Sequence, residues 1–240
     1  MLIVGLTGGI ACGKSTVSRR LQEKHKLPIV DADQIARDAV EPGTSTYNSI
    51  VDHFKDKIPR LLQEDGHLNR PELGSFVFSH PDELKILNGI THPAIKYQMF
   101  KEIMKYYILG YGMCILDVPL LFEGGLDTFC ATTISVVCDE DTQLERFLVR
   151  NINLSTEDAR NRIKSQMPMD ERERVSDYTI DNNGSLAELY TTTDRIIDLI
   201  KPNKIRTILE YFPPFGAVSA SAIVASKWIA GKPRYTKKSN

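Results

Sequence analysis

Short apolar runs alternate with longer stretches in which apolar and polar positions mix at helical spacing. Leu2–Leu6, Leu27–Val30, Cys114–Val118, Thr133–Cys138 and Tyr178–Ile180 are the short runs. Continuous rather than alternating apolar character marks strands buried on both faces, so the pattern predicts a five-stranded parallel sheet covered by helices, an α/β fold. A helical stretch from Lys14 to about His25 follows the first run. Residues 36–112, between the second and third runs, read as a mostly helical insertion punctuated at Glu41-Pro42-Gly43, Glu64-Asp65-Gly66 and Ser79-His80-Pro81. Residues 141–176 form a polar segment holding Arg146, Arg150, Arg160, Arg162, Arg172 and Arg174. A helix there places Arg146 and Arg150 on one face. A solvated surface is the plain reading of such a segment; an arginine-rich lid is the functional one.

Composition narrows this picture. The 240 residues are 42% hydrophobic and 25% charged, the balance of a folded chain with enough core to need no disulfide. Thirty basic residues face 31 acidic ones, which argues against nucleic acid as a partner. Cys12, Cys114, Cys130 and Cys138 form no C-x-x-C pair, fitting a reduced intracellular compartment. No basic region precedes the Leu2 run, so neither a signal nor a transit peptide is expected, and the expected location is cytoplasmic.

The chemistry begins at Gly8-Gly9-Ile10-Ala11-Cys12-Gly13-Lys14-Ser15, a full match to G-x-x-x-x-G-K-[ST] between a predicted strand and a predicted helix. Such a P-loop turns successive backbone N–H groups toward phosphate oxygens at a helix N-terminus. Lys14 is expected to reach the β- and γ-phosphates of ATP and the Ser15 hydroxyl to ligate Mg²⁺, with Thr16 next in the nucleotide-binding stretch. The guanine signature Asn-Lys-x-Asp is missing, since Asn203-Lys204-Ile205-Arg206 lacks the aspartate. A small P-loop fold with a helical insertion on the acceptor side and an arginine-rich lid points to a small-molecule kinase of nucleotide-kinase type. A nucleotide-binding scaffold without activity is the alternative from another class, and intact Lys14, Ser15, Asp33 and Arg150 argue against it.

Phosphoryl transfer to a hydroxyl needs a carboxylate to orient it and take its proton. Asp31 and Asp33 follow the second strand, and either serves as that base or as a helix N-cap. Asp117 closes the third strand, where it suits either Mg²⁺ or local backbone amides.

The wording of these segments resembles the dephospho-coenzyme A kinase family. Carrying the resemblance are Gly5-Leu6-Thr7-Gly8-Gly9-Ile10, Val30-Asp31-Ala32-Asp33-Gln34-Ile35-Ala36-Arg37, Val40-Glu41-Pro42-Gly43, Gly66-His67-Leu68-Asn69-Arg70 and Thr91-His92-Pro93. Val118-Pro119-Leu120-Leu121-Phe122-Glu123, Arg162-Ile163-Lys164-Ser165-Gln166 and Ile180-Asp181-Asn182-Asn183-Gly184-Ser185 continue it in the family's order, over about residues 1–200. The resemblance implies transfer of the ATP γ-phosphate to the ribose 3′-hydroxyl of dephospho-CoA, the last step of coenzyme A synthesis. It implies Asp33 as general base, Lys14 on the phosphates, and Arg150 and Arg146 as lid arginines. It places adenine near Asn182, Asn183 and Gly184. Dephospho-CoA is expected between the insertion and the Val118–Glu123 turn, with Arg70, His92 and Glu123 as contacts. For His92 and Glu123 a purely structural role is an equal alternative. Assembly with other enzymes of CoA synthesis is compatible with the resemblance. Within the P-loop, Cys12 beside a helix N-terminus is a candidate reactive thiol, against inert packing.

The kinase domain is thus expected over residues 1–205, followed by an extension over 206–240. Tyr211 to Ser226 carries no charge, and Lys227, Trp228, Lys232, Arg234, Lys237 and Lys238 follow. Membrane association through 211–240, as a short anchor or an interfacial segment, is one reading; a helix packed on the domain with a loose basic end is the preferred one.

Overall fold

The computed structural model describes residues 1–202 and, beyond them, only the single positions 221 and 225. Apart from those two positions, the extension and both readings of residues 211–240 lie outside the described residues. Among the described residues, no helix is long and apolar enough to cross a membrane.

Among the described residues, five strands form one sheet: β1 (Leu2–Gly8), β2 (Ile29–Asp31), β3 (Met113–Asp117), β4 (Thr132–Val137) and β5 (Tyr178–Asp181), in the order β2-β3-β1-β4-β5. β1 pairs in parallel with β3, in register Leu2↔Met113 through Leu6↔Asp117, and with β4, Val4↔Thr132 through Gly8↔Val136; β4 and β5 are also parallel. Every residue of β3 is buried, as are the last five of β1 and of β4, which is why they read as unbroken apolar runs. Strand order reverses at the central β1, and at such a reversal the carboxyl ends of the strands open a crevice for ligands.

The chain divides into two compact units, residues 31–105 and the remainder. In the sheet unit, α1 (Lys14–Glu23) follows β1, α6 (Glu140–Arg150) follows β4, and α7 (Thr156–Lys164) and α8 (Met169–Val175) lead into β5. The last described helix, α9 (Leu186–Ile200), starts with a capping box in which Ser185 and Glu188 satisfy each other's backbone N–H groups. Its Leu189, Ile196 and Ile197 pack with Val17 and Leu21 of α1 and with Val4, Leu6, Ile134 and Ile180 of the sheet. Each such buried side chain contributes about 1.5–3 kcal/mol.

The other unit holds α2 (Ala32–Asp38), α3 (Ser45–Phe54), α4 (Arg70–Ser79) and most of α5 (Pro81–Ile108). Its core is Ile50, Phe54, Ile58, Leu61, Leu68, Leu73 and Val77. Glu41-Pro42-Gly43 and Glu64-Asp65-Gly66 fall between helices, Ser79 ends α4 and Pro81 opens α5, and Gly66 takes the positive φ of 84° in the turn at Glu64-Asp65-Gly66. Unlike these breaks, Thr91-His92-Pro93 lies inside α5. Pro93 removes the hydrogen bond to the carbonyl of residue 89. That residue is Gly89, whose Cβ position is open space, and the Thr91 hydroxyl donates to the Leu87 carbonyl nearby at 2.9 Å.

Candidate functional site

The P-loop joins β1 to α1 through two left-handed residues, Ala11 (φ 59°) and Gly13 (φ 95°). At Gly13 a side chain is excluded twice over, because a Cβ would also fall on the Asn182 amide. Three side chains grip the loop's backbone. Gln143 Nε2 donates to the Ile10 carbonyl at 2.8 Å, Asn182 Nδ2 donates to the Cys12 carbonyl at 2.8 Å, and Ile10 N–H donates to Gln166 Oε1 at 2.9 Å. Arg146 Nη1 donates in turn to the Asn182 carbonyl at 2.9 Å. At the carboxyl end of β3, Asp117 is 4% exposed, and Lys14 Nζ stands 2.5 Å from its Oδ1. A carboxylate this buried requires a cationic partner, and the P-loop lysine supplies one.

Beyond the loop opens a cleft of about 610 Å³, a size suited to a nucleotide. Of the residues expected on ATP, Ala11, Gly13, Ser15, Thr16, Arg146, Arg150, Asn182 and Gly184 line it. Gly8 at the end of β1, Gly9, Ile10 and Cys12 in the loop, and Lys14 at the start of α1 are not among its lining residues. Asn183 fastens the neighbouring turn, its Oδ1 accepting from Asp139 N–H at 2.9 Å. Sequence reasoning missed Thr142, Glu145, Val149, Leu186 and Leu189, which also line the cleft. The signal was present for three of them: 142, 145, 146, 149 and 150 recur at helical spacing on one face of α6.

The residues expected on the acceptor side lie in different settings. Asp31 is the N-cap of α2, its Oδ1 accepting from Asp33 N–H at 2.9 Å and Gln34 N–H at 3.0 Å. This leaves the Asp33 carboxylate exposed on the first helical turn, so the N-cap role and the candidate base fall on different aspartates. Arg70 is exposed and donates to the Arg37 carbonyl at 3.2 Å, with Glu41 3.7 Å away. His92 is exposed on α5.

Glu123 is bound up in the sheet unit. Its Oε1 accepts from Arg172 Nη2 at 3.0 Å and from Met167 N–H at 3.2 Å. Arg172, grouped in the sequence with the lid arginines, is wholly buried, and its Nη1 donates to Thr7 Oγ1 at 3.0 Å. Sequence spacing could not separate it from the solvated arginines around it. Arg172 Nε and Glu123 Oε2 are buried without a hydrogen-bond partner among the described residues.

Cys12 is not the reactive thiol its position suggests. It is fully buried, and its thiol is hydrogen-bonded to the sulfur of Cys138 at 3.2 Å, with the proton held on Cys12. That hydrogen bond and burial push the Cys12 thiol upward, away from the thiolate.

A parallel sheet bearing a phosphate loop on its central strand, with an arginine-bearing helix along the cleft beyond it, defines a P-loop kinase. The family model for dephospho-CoA kinase, CoaE, matches residues 2–188. Dephospho-CoA kinase CAB5 of Saccharomyces cerevisiae is 62% identical over 239 residues, covering 100% of this chain and 99% of that protein. Among solved structures, TT1252 from Thermus thermophilus superposes with a TM-score of 0.70 at 28% identity, over 84% of this chain and 98% of that one. A dephospho-CoA kinase from Campylobacter jejuni gives 0.63 at 26% identity, over 82% and 96%. The chain belongs to the dephospho-CoA kinase family.

Proposed function

We propose that this chain transfers the γ-phosphoryl of ATP to the ribose 3′-hydroxyl of dephospho-CoA with Asp33 as the base that orients and deprotonates that hydroxyl. The observation that carries the reading is the cleft in which P-loop residues, Arg146, Arg150 and the Asn182–Gly184 turn meet. The triphosphate lies along the loop's N–H groups, with Lys14, Arg146 and Arg150 matching charge on the phosphoryl group in flight. Val149 and Leu186, apolar and exposed on the cleft wall, suit the faces of a planar base. The acceptor oxygen forms its bond to phosphorus as the bond to the β–γ bridging oxygen breaks; its proton passes to Asp33, and ADP leaves. Arg70, His92 and Glu123 are the proposed contacts of dephospho-CoA, Glu123 through the backbone it fixes, since its second oxygen is buried.

Ser15, exposed on the first turn of α1 and lining the cleft, and Asp117 offer hard oxygen donors, the kind Mg²⁺ takes beside phosphates. They are the residues that would hold it, and when bound it neutralises phosphate charge.

Asp33→Asn tests the assignment. Loss of a positioned base lowers turnover by about 10²–10⁴-fold, with ATP affinity nearly unchanged. Near-normal turnover of that variant removes Asp33 from the mechanism.

A further inference from the structure

Two glutamines that neither nucleotide nor acceptor reading employs hold both faces of one P-loop residue. Gln166 Oε1 accepts from Ile10 N–H at 2.9 Å, and Gln143 Nε2 donates to the Ile10 carbonyl at 2.8 Å, so the peptide planes before and after Ile10 are both fixed. The next residue, Ala11, has φ 59°, a left-handed conformation that a residue with a Cβ adopts at a cost. Gly9 fits the same arrangement, since a Cβ there would stand 2.8 Å from Gln143 Nε2.

Both clamps are themselves held. Gln143 is 3% exposed on α6. Gln166 sits on fastened backbone: its own N–H donates to the Ile163 carbonyl, and the next residue, buried Met167, donates to Glu123, which Arg172 secures. A backbone N–H can only donate, so Gln166 must present its carbonyl oxygen to Ile10.

We infer that Gln166, with Gln143, is a positioning residue that holds the P-loop in its left-handed turn at Ala11, ready for the triphosphate, and thereby couples the 165–168 segment to the loop. The inference rests on ATP occupying this loop. Without the clamp, Ala11 relaxes toward negative φ and ATP binding must restore the turn. Glycine at position 11 has no such preference, so it should make the clamp dispensable.

The test is ATP affinity, measured by calorimetric titration of the full chain, for wild type, Gln166→Leu, Ala11→Gly and the double variant. Gln166 is only half-buried, and unfolding temperatures confirm that the variants fold. Gln166→Leu is expected to weaken ATP about 10-fold, the scale of one lost hydrogen bond, with turnover at saturating ATP within about 3-fold of wild type. In the Ala11→Gly background the same substitution should weaken ATP by no more than about 3-fold, because the strain it controls is gone. Wild-type affinity in Gln166→Leu overturns the inference. So does an equal loss in both backgrounds, which would put Gln166 on the phosphates directly. A wild type that fails to bind ATP would refute the P-loop reading itself, and the inference with it.

Discussion

At the scale of single residues, neighbours decide which of several identical groups is left available for chemistry. Asp31 and Asp33 are two apart with the same side chain, yet Asp31 is spent on the helix N-cap and Asp33 is not. Cysteines follow the same logic. All four are buried, Cys12 is pushed up by the Cys138 hydrogen bond and burial, and burial pushes Cys114 up to about 12. Thiolate, not thiol, is the nucleophile, so Cys12 and Cys114 should stay unmodified by iodoacetamide at pH 8 in the folded chain. Denaturation should expose all four, and the mass shift per chain counts them. Labelling of Cys12 in the folded protein would contradict its placement. The glutamine clamp belongs to this scale too, and no local pattern announces it: Gln143 and Gln166 lie 133 and 156 residues from Ile10.

At the scale of elements, β1, β3 and β4 were legible because burial on both faces leaves an unbroken apolar record, and the observed ends of all five strands lie within two residues of the expected ones. The P-loop was legible because its glycines answer backbone demands that no other residue meets. By contrast, α5 runs straight through Pro93, where proline ordinarily marks a boundary. The packing of α1 on α9 adds a charged cluster that periodicity could not show. Asp194 of α9 meets Arg20 at 2.8 Å, Lys24 at 2.7 Å and His25 at 2.7 Å. The hydrogen bond from Arg20, then those from Lys24 and His25, holds its carboxyl well below the usual range. A carboxylate depressed on folding stabilises above its unfolded pKa of about 4 and loses that contribution as pH falls toward its folded value. Asp194→Asn should therefore cost about 1–2 kcal/mol near neutral pH, discounted for partial exposure. The difference in melting temperature from wild type should hold between pH 5 and 7 and shrink below about pH 4. A difference independent of pH down to 2 would exclude the ion cluster as its source.

For the whole molecule, the sheet unit carries the residues proposed for the nucleotide: P-loop, Lys14–Asp117 pair, α6 arginines and the turn after β5. The residues proposed for the acceptor sit mainly in the 31–105 unit, on Asp33, Arg70 and His92. The P-loop and the turn after β5 in the cleft's lining were readable because they are short motifs at strand ends. The roles of Arg172 and Glu123 were not, since an arginine in a basic stretch looks the same whether it faces solvent or fills a core. The most direct measurement is ADP release from the full chain with MgATP, with and without dephospho-CoA, followed by the mass of the product. ADP release that requires dephospho-CoA, with one phosphoryl group gained per ADP, is the expected result. ATP binding without phosphorylation of dephospho-CoA would contradict the account, leaving a nucleotide site whose acceptor is something else.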